Sequence, residues 1–246
     1  MAKGEAEKNK FLNGADDILP VEEGHNRFAW NLSGKGAESF DGMILWNGNL
    51  GAPRVPPGTY EAVLRIGDGA ARVSFDVEGD PRSYSSDEDL AAQWSFAQET
   101  GALLTRAHQG IRDLRAVRAD LKGLEDRMAD MEGEAKDALS VRIEAALTEM
   151  KEVEETLYQT KNQSRQDPLN FPIRLTDKLA GVRSGAMQGE FGPTAQMHEV
   201  AADLGAKIEA ALVRLDPIFQ DEVPAIDRAA RELEVPLVRV PVRDEK

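Results

Sequence analysis

"DPRSYSSDEDLAAQW", residues 80–94, is the stretch at which the chain changes character. Ser86 is a good helix N-cap, and Asp87, Glu88 and Asp89 place negative charge where the positive end of a helix dipole would lie. From there Leu90, Trp94, Ala97, Leu104, Ile111, Leu114, Leu121, Leu124 and Met128 recur at steps of three, four or seven. That spacing predicts a long amphipathic helix with a coiled-coil-like seam. The preceding chain reads differently. Residues 1–81 hold 12 of the 21 glycines and two of the three tryptophans. The stretch therefore divides an N-terminal β-like domain (23–82) from a C-terminal helical one (83–234).

Towards the C-terminus, Gly133 marks a turn, and Leu139, Ile143, Leu147, Met150, Val153 and Leu157 form a second seam. A helix of roughly 40 residues spans about 60 Å at ~1.5 Å per residue. Two helices joined by so short a turn must run antiparallel. Leu175 to Met187 reads as a shorter third helix, broken over Gly189 to Pro193. Met197, Val200, Leu204, Ile208, Leu212 and Leu215 mark a fourth, and Pro217 and Pro224 segment the chain beyond it. The expected architecture is a long helical hairpin within a four-helix bundle, ending in an extended tail at 235–246.

Towards the N-terminus, residues 1–22 form a polar leader. Four strands are expected: Arg27–Leu32, Gly42–Trp46, Thr59–Ile66 and Ala71–Val77, the last two joined at Gly67-Asp68-Gly69. Short antiparallel strands with glycine turns fit a β-sandwich, with Phe28, Trp30, Trp46 and Tyr60 as its core or interface. The fold class is thus α+β.

A second stretch, "TLYQTKNQSRQDPLNFPIRLTDKL" (156–179), ends one helix and begins the next. Pro168 and Pro172 each forbid helix continuation and bias Asp167 and Phe171 to extended geometry. Asp167 can accept nearby backbone N–H groups, and Asn170 can both donate and accept. Tyr158, Gln159 and Asn162 stand within reach on the preceding turn. These residues read as a structural joint; the rival reading makes Asp167, Asn170 and Tyr158 the lining of a ligand pocket.

The chain has 246 residues, with 30 Lys and Arg against 44 Asp and Glu, a formal charge of −14. That balance argues against nucleic acid and against anionic lipid as partners, since both demand concentrated basic surface. With no cysteine, thiol catalysis and disulfides are excluded. The N-terminus has no apolar core of a signal peptide, and no apolar run approaches the ~20 residues of a membrane span. His25, His108 and His198 are scattered without metal-ligand spacing, and there is no nucleophile elbow. Carboxylates such as Glu125, Asp126, Glu152, Glu154 and Glu155 fall at surface positions of helices, where pairing with Lys or Arg is their usual work. Ser39, Asp41 and Trp46 fall in register with the Asp-box of sialidase-type propellers, but Met43 stands where its turn needs Gly. No catalytic, metal or cofactor site is expected.

Three stretches together carry a resemblance: "GHNRFAWNL" (24–32), "FDGMILWNG" (40–48) with "VPPGTYEAVLRIGDG" (55–69), and "LYQTKNQSRQDPLNFPIRLTDKLAGV" (157–182). They resemble the C-terminal region of bacterial BNR-repeat, sortilin-like proteins labelled glycosyl hydrolases, over residues 24–233. There an Ig-like sandwich and a helical segment follow one or two β-propellers. The resemblance implies a C-terminal fragment or split gene product, in a periplasmic or secreted setting. It implies a non-catalytic accessory module that packs against or oligomerises a β-propeller protein, with a homo-oligomer as a further expectation. The alternatives are part of a glycoside hydrolase whose propeller is absent, and a free-standing coiled-coil adaptor.

Overall fold

The computed structural model describes residues 22–46 and 48–238. The fold is mixed α+β: a two-stranded antiparallel sheet followed by helices. The strands are β1 (Gly58–Ile66) and β2 (Gly69–Val77). The helices are α1 (Asp87–Met128), α2 (Glu134–Leu157), α3 (Leu175–Ala186), α4 (Ala195–Val213) and α5 (Val223–Glu232). A 3-10 turn at Asp167–Leu169 lies between α2 and α3, and a π-helical turn at Ile218–Glu222 leads into α5. The polar leader lies outside the described residues except for Glu22. Of the expected tail, only 235–238 are described, and they are not helical.

Two compact units are built from interleaved stretches of chain. The first takes residues up to Ser39, Asn47–Thr105 and Leu179–Asp203. Here α1 begins as its sequence indicates. The Asp89 amide donates to Ser86 Oγ at 3.1 Å, and the Ser86 amide donates back to Asp89 Oδ2 at 3.2 Å, a reciprocal cap. Phe96, Ala97 and Leu104 are buried on α1, and Leu179 and Ala180 on α3. Gly48 permits a close approach to α3, because a Cβ at that position would lie 2.3 Å from the Ala180 Cβ.

The hairpin β1–β2 is in register through Gly67–Asp68, pairing Tyr60 with Phe75, Ala62 with Val73 and Leu64 with Ala71. The expected strands at 27–32 and 42–46 do not form, and no sandwich is seen among the described residues. The physical reasons are local. Leu32 sits at φ 56°, a left-handed conformation in which a strand cannot continue. Beyond it, the Gly34 amide donates to Pro53 O, the Val55 amide to Leu32 O and the Ala37 amide to Leu50 O. The first two flank the Ser33–Arg54 bridge, while the third, three residues further along, falls out of the two-residue alternation of a ladder. Pro53 has no N–H to return a bond, so the ribbon never becomes a ladder.

The second unit takes Phe40–Trp46, Arg106–Lys178 and the chain from Leu204 onward. Its part of α1 buries Ile111, Leu114, Leu121 and Met128, and α2 buries Leu139, Ile143, Met150 and Leu157. Each such side chain contributes about 1.5–3 kcal/mol by leaving water. Glu154, near the end of α2, reaches Arg115 and Arg118 in the last third of α1, so α2 runs back along α1. Ile208 of α4 and Ile226 of α5 are fully buried as well.

Candidate functional site

The residues of the joint gather around the end of α2. Asp167 does what an Asx residue can do: its Oδ2 accepts the amides of Gln163 at 2.6 Å and Ser164 at 2.8 Å, and Oδ1 accepts the Ser164 hydroxyl at 2.9 Å. Those donors hold its carboxyl below the usual carboxylate range. Pro168 is the second residue of the 3-10 turn, in its first turn, where a missing N–H costs nothing. Gln159 is buried and donates through Nε2 to Pro172 O at 2.9 Å. Thr176, also buried, donates to Leu157 O at 2.9 Å. Phe171 lies under Lys161, whose Nζ is 5.7 Å from the ring centroid. Asn170 is exposed; its amide donates to Asp167 O, and its side chain makes no hydrogen bond among the described residues. So Asp167 and Gln159 tie the joint together, whereas Asn170 does not.

Tyr158 leads to a buried polar centre in the second unit. Its hydroxyl accepts the Ile44 amide at 2.9 Å, and burial pushes its pKa above the ordinary phenol value. The Tyr158 ring meets Phe40 edge-on at 4.9 Å, and Phe40 also meets the His108 ring edge-on at 5.4 Å. The Arg115 guanidinium lies 4.6 Å from the Phe40 centroid and donates to Glu154 Oε1 at 2.7 Å. Arg118 closes on the other Glu154 oxygen. The Glu154 side chain is only 3% exposed, so two arginines answer one buried carboxylate. Asp177 accepts the Trp46 amide at 2.8 Å. Phe40–Trp46 is therefore a strap pinned by helix side chains at Ile44 and Trp46. Those amides are satisfied without a neighbouring strand, which explains the missing strand at 42–46.

In the first unit the chain around Asn49 is pinned likewise. The Asn49 amide donates to Ser184 Oγ at 2.9 Å. Arg183, fully buried, donates to Ala97 O at 2.9 Å, to Gly51 O at 2.8 Å and to Asn49 O at 3.4 Å. Its charge is met by carbonyl dipoles rather than by a carboxylate, and burial draws its pKa down. Nothing in the residue pattern marks Arg183 for this role.

The aromatic residues expected to share one β-domain core do not all meet. Trp30 packs on Tyr60 at 5.7 Å and on Phe75 at 6.1 Å, with Tyr60 and Phe75 at 6.2 Å across the hairpin. Phe28 is 42% exposed, and Trp46 belongs to the other unit. Phe75 is absent from the expected set, although the two-residue turn at Gly67–Asp68 places it opposite Tyr60. Beyond these rings the hairpin has one apolar face, with Leu64 48%, Val73 61% and Ile66 74% exposed. The opposite face is polar, with Thr59 bonded to Asp76 and Glu61 paired with Arg72.

Two cavities lie apart from these centres. One of about 900 Å³ in the first unit is lined by Pro53, Pro56, Pro57 and Pro81, with the exposed Asp80–Arg82 pair on its wall. The other, about 490 Å³, lies in the second unit between the start of α3 and the later turns of α4. Neither is lined by His108, Glu154 or Tyr158. Among the described residues no group of three or more His, Asp or Glu is placed to share a metal ion, and no helix is long and apolar enough to cross a membrane.

The arrangement defines an α+β chain whose buried polar groups fasten irregular backbone to helices and whose hairpin carries an open apolar face. Compared with known protein families, characterised proteins and solved structures, the chain matches none.

Proposed function

We propose that the chain is a non-catalytic accessory module, of the kind its sequence resembles in BNR-repeat propeller proteins. In this reading it packs against or oligomerises a β-propeller protein outside the cytoplasm. The β-domain of residues 23–82 is then the remnant of an Ig-like sandwich, and strands from the partner complete it. The supporting observation is the hairpin face formed by Ala62, Leu64, Ile66, Ala71 and Val73. A two-stranded hairpin is marginal alone, and an apolar sheet face with open edges invites pairing. The buried surroundings of Glu154, His108 and Tyr158 favour structural roles for them over a catalytic one.

The test is light scattering on the whole chain, alone and mixed with a propeller protein encoded beside it. Association that is lost in Leu64→Lys and Val73→Lys, with helix content unchanged, is the expected result. A monomer at high concentration in both settings, with no binding of an apolar dye, contradicts the proposal. So does turnover of an aryl glycoside that disappears when one carboxylate is replaced.

A further inference from the structure

The 490 Å³ cavity of the second unit has a basic lining in an acidic chain. The whole chain carries −14, yet the cavity lining includes Arg174, Lys178, Lys207 and Arg214 and no carboxylate. Arg174 and Lys178 stand one helical turn apart, and neither makes an ion pair among the described residues. Arg214 is held in place from behind: its Nε donates to Glu149 at 2.7 Å and its Nη2 to Glu152 at 2.8 Å. That leaves Nη1 without a protein acceptor among the described residues. Between the cations lie apolar surfaces, Ile173 from the joint and Ala211 from α4.

Arg174 and Lys178 have no counter-ion among the described residues, and a bound anion would supply one. Guanidinium forks match phosphate and carboxylate oxygens, and a fixed fork loses less freedom on binding than a mobile one. A volume of this size suits a small ligand, since such pockets run to roughly 300–1,000 Å³. We infer that this cavity binds a small organic anion, a phosphate or carboxylate head joined to a short apolar body. The head sits between Arg174, Lys178 and Arg214, and the body lies against Ile173 and Ala211.

Isothermal titration of the full chain tests this with hexyl phosphate, hexanoate and inorganic phosphate as probes. One-site saturable binding is expected for hexyl phosphate or hexanoate, at least tenfold tighter than for inorganic phosphate. Arg174→Gln with Lys178→Gln should weaken it at least tenfold while the circular dichroism spectrum and Tm stay unchanged. Arg228→Gln on α5, outside the cavity, should leave it unaltered. Three results would each overturn the inference: no saturable binding at millimolar probe, equal affinity for inorganic phosphate, or equal weakening by the Arg228 control. Should the double variant unfold, Ile173→Asp is the second arm; retained tight binding of the alkyl anion there also overturns it.

Discussion

The strap at 40–46 and the hairpin at 58–77 solve the same problem in opposite ways. Each must satisfy its backbone N–H and C=O groups. The hairpin does so internally, through a ladder of nine residue pairs, and its distal half remains open to solvent. The strap has no ladder. Its Ile44 and Trp46 amides are answered by Tyr158 and Asp177, and Phe40 is buried against Tyr158 and His108. The irregular segment is therefore the one fastened to the helices, and the regular one has surface to spare. Regularity of backbone is no guide to how tightly a segment is held; what matters is where its side chains and hydrogen bonds end.

Substitutions sharpen this contrast, and the largest effect falls on the strap. Phe40→Ala removes a buried ring and should cost about 3 kcal/mol or more in urea unfolding. A loss below about 1 kcal/mol would mean the strap is not held by its ring. Arg183→Met keeps the bulk but strands the carbonyls of Asn49 and Gly51, for an expected loss of about 2–3 kcal/mol. Tyr158→Phe deletes only the acceptor for the Ile44 amide and should cost about 1–2 kcal/mol, with faster exchange at that amide as its signature.

Smaller still is the effect at the joint. The folded pKa of Asp167 is depressed, so its contribution is present above its unfolded pKa, near 4, and is lost as pH falls through the folded value. Asp167→Asn should remove that contribution, lowering stability at neutral pH, flattening the acid part of the profile and changing little below the folded pKa. Least affected should be the hairpin. Val73→Ser ought to alter monomer stability by less than about 0.5 kcal/mol, because Val73 is already 61% exposed. A large loss there would show that the face is covered within the chain.

Much of the helical part was legible in the sequence, because seams such as Leu139, Ile143, Met150 and Leu157 repeat over many turns. The ends were legible too where a specific residue supplies them, as Ser86 and Pro168 do. The strands divided. Thr59–Ile66 and Ala71–Val77 were readable because Gly67–Asp68 sets their pairing. Arg27–Leu32 and Gly42–Trp46 show similar short apolar runs without a partner, and five or six residues cannot distinguish a strand from a strap. The fate of Gly42–Trp46 depended on Tyr158 and Asp177, more than a hundred residues away in sequence, and that of Arg27–Leu32 on the left-handed backbone at Leu32. The joint was readable in Asp167, whose carboxylate acts locally, and misleading in Asn170, whose side chain points to no partner among the described residues. The basic cavity was not legible, since Arg174 and Lys178 meet Lys207 and Arg214 only once α3 and α4 are placed.

Residue-resolved amide hydrogen exchange on the whole chain, without partner, tests the contrast most directly. The Ile44 and Trp46 amides should exchange only with opening of their unit, while those of residues 62–66 and 70–73 exchange orders of magnitude faster, as expected of a marginal hairpin. Hairpin amides protected as strongly as Ile44 and Trp46 would contradict the account.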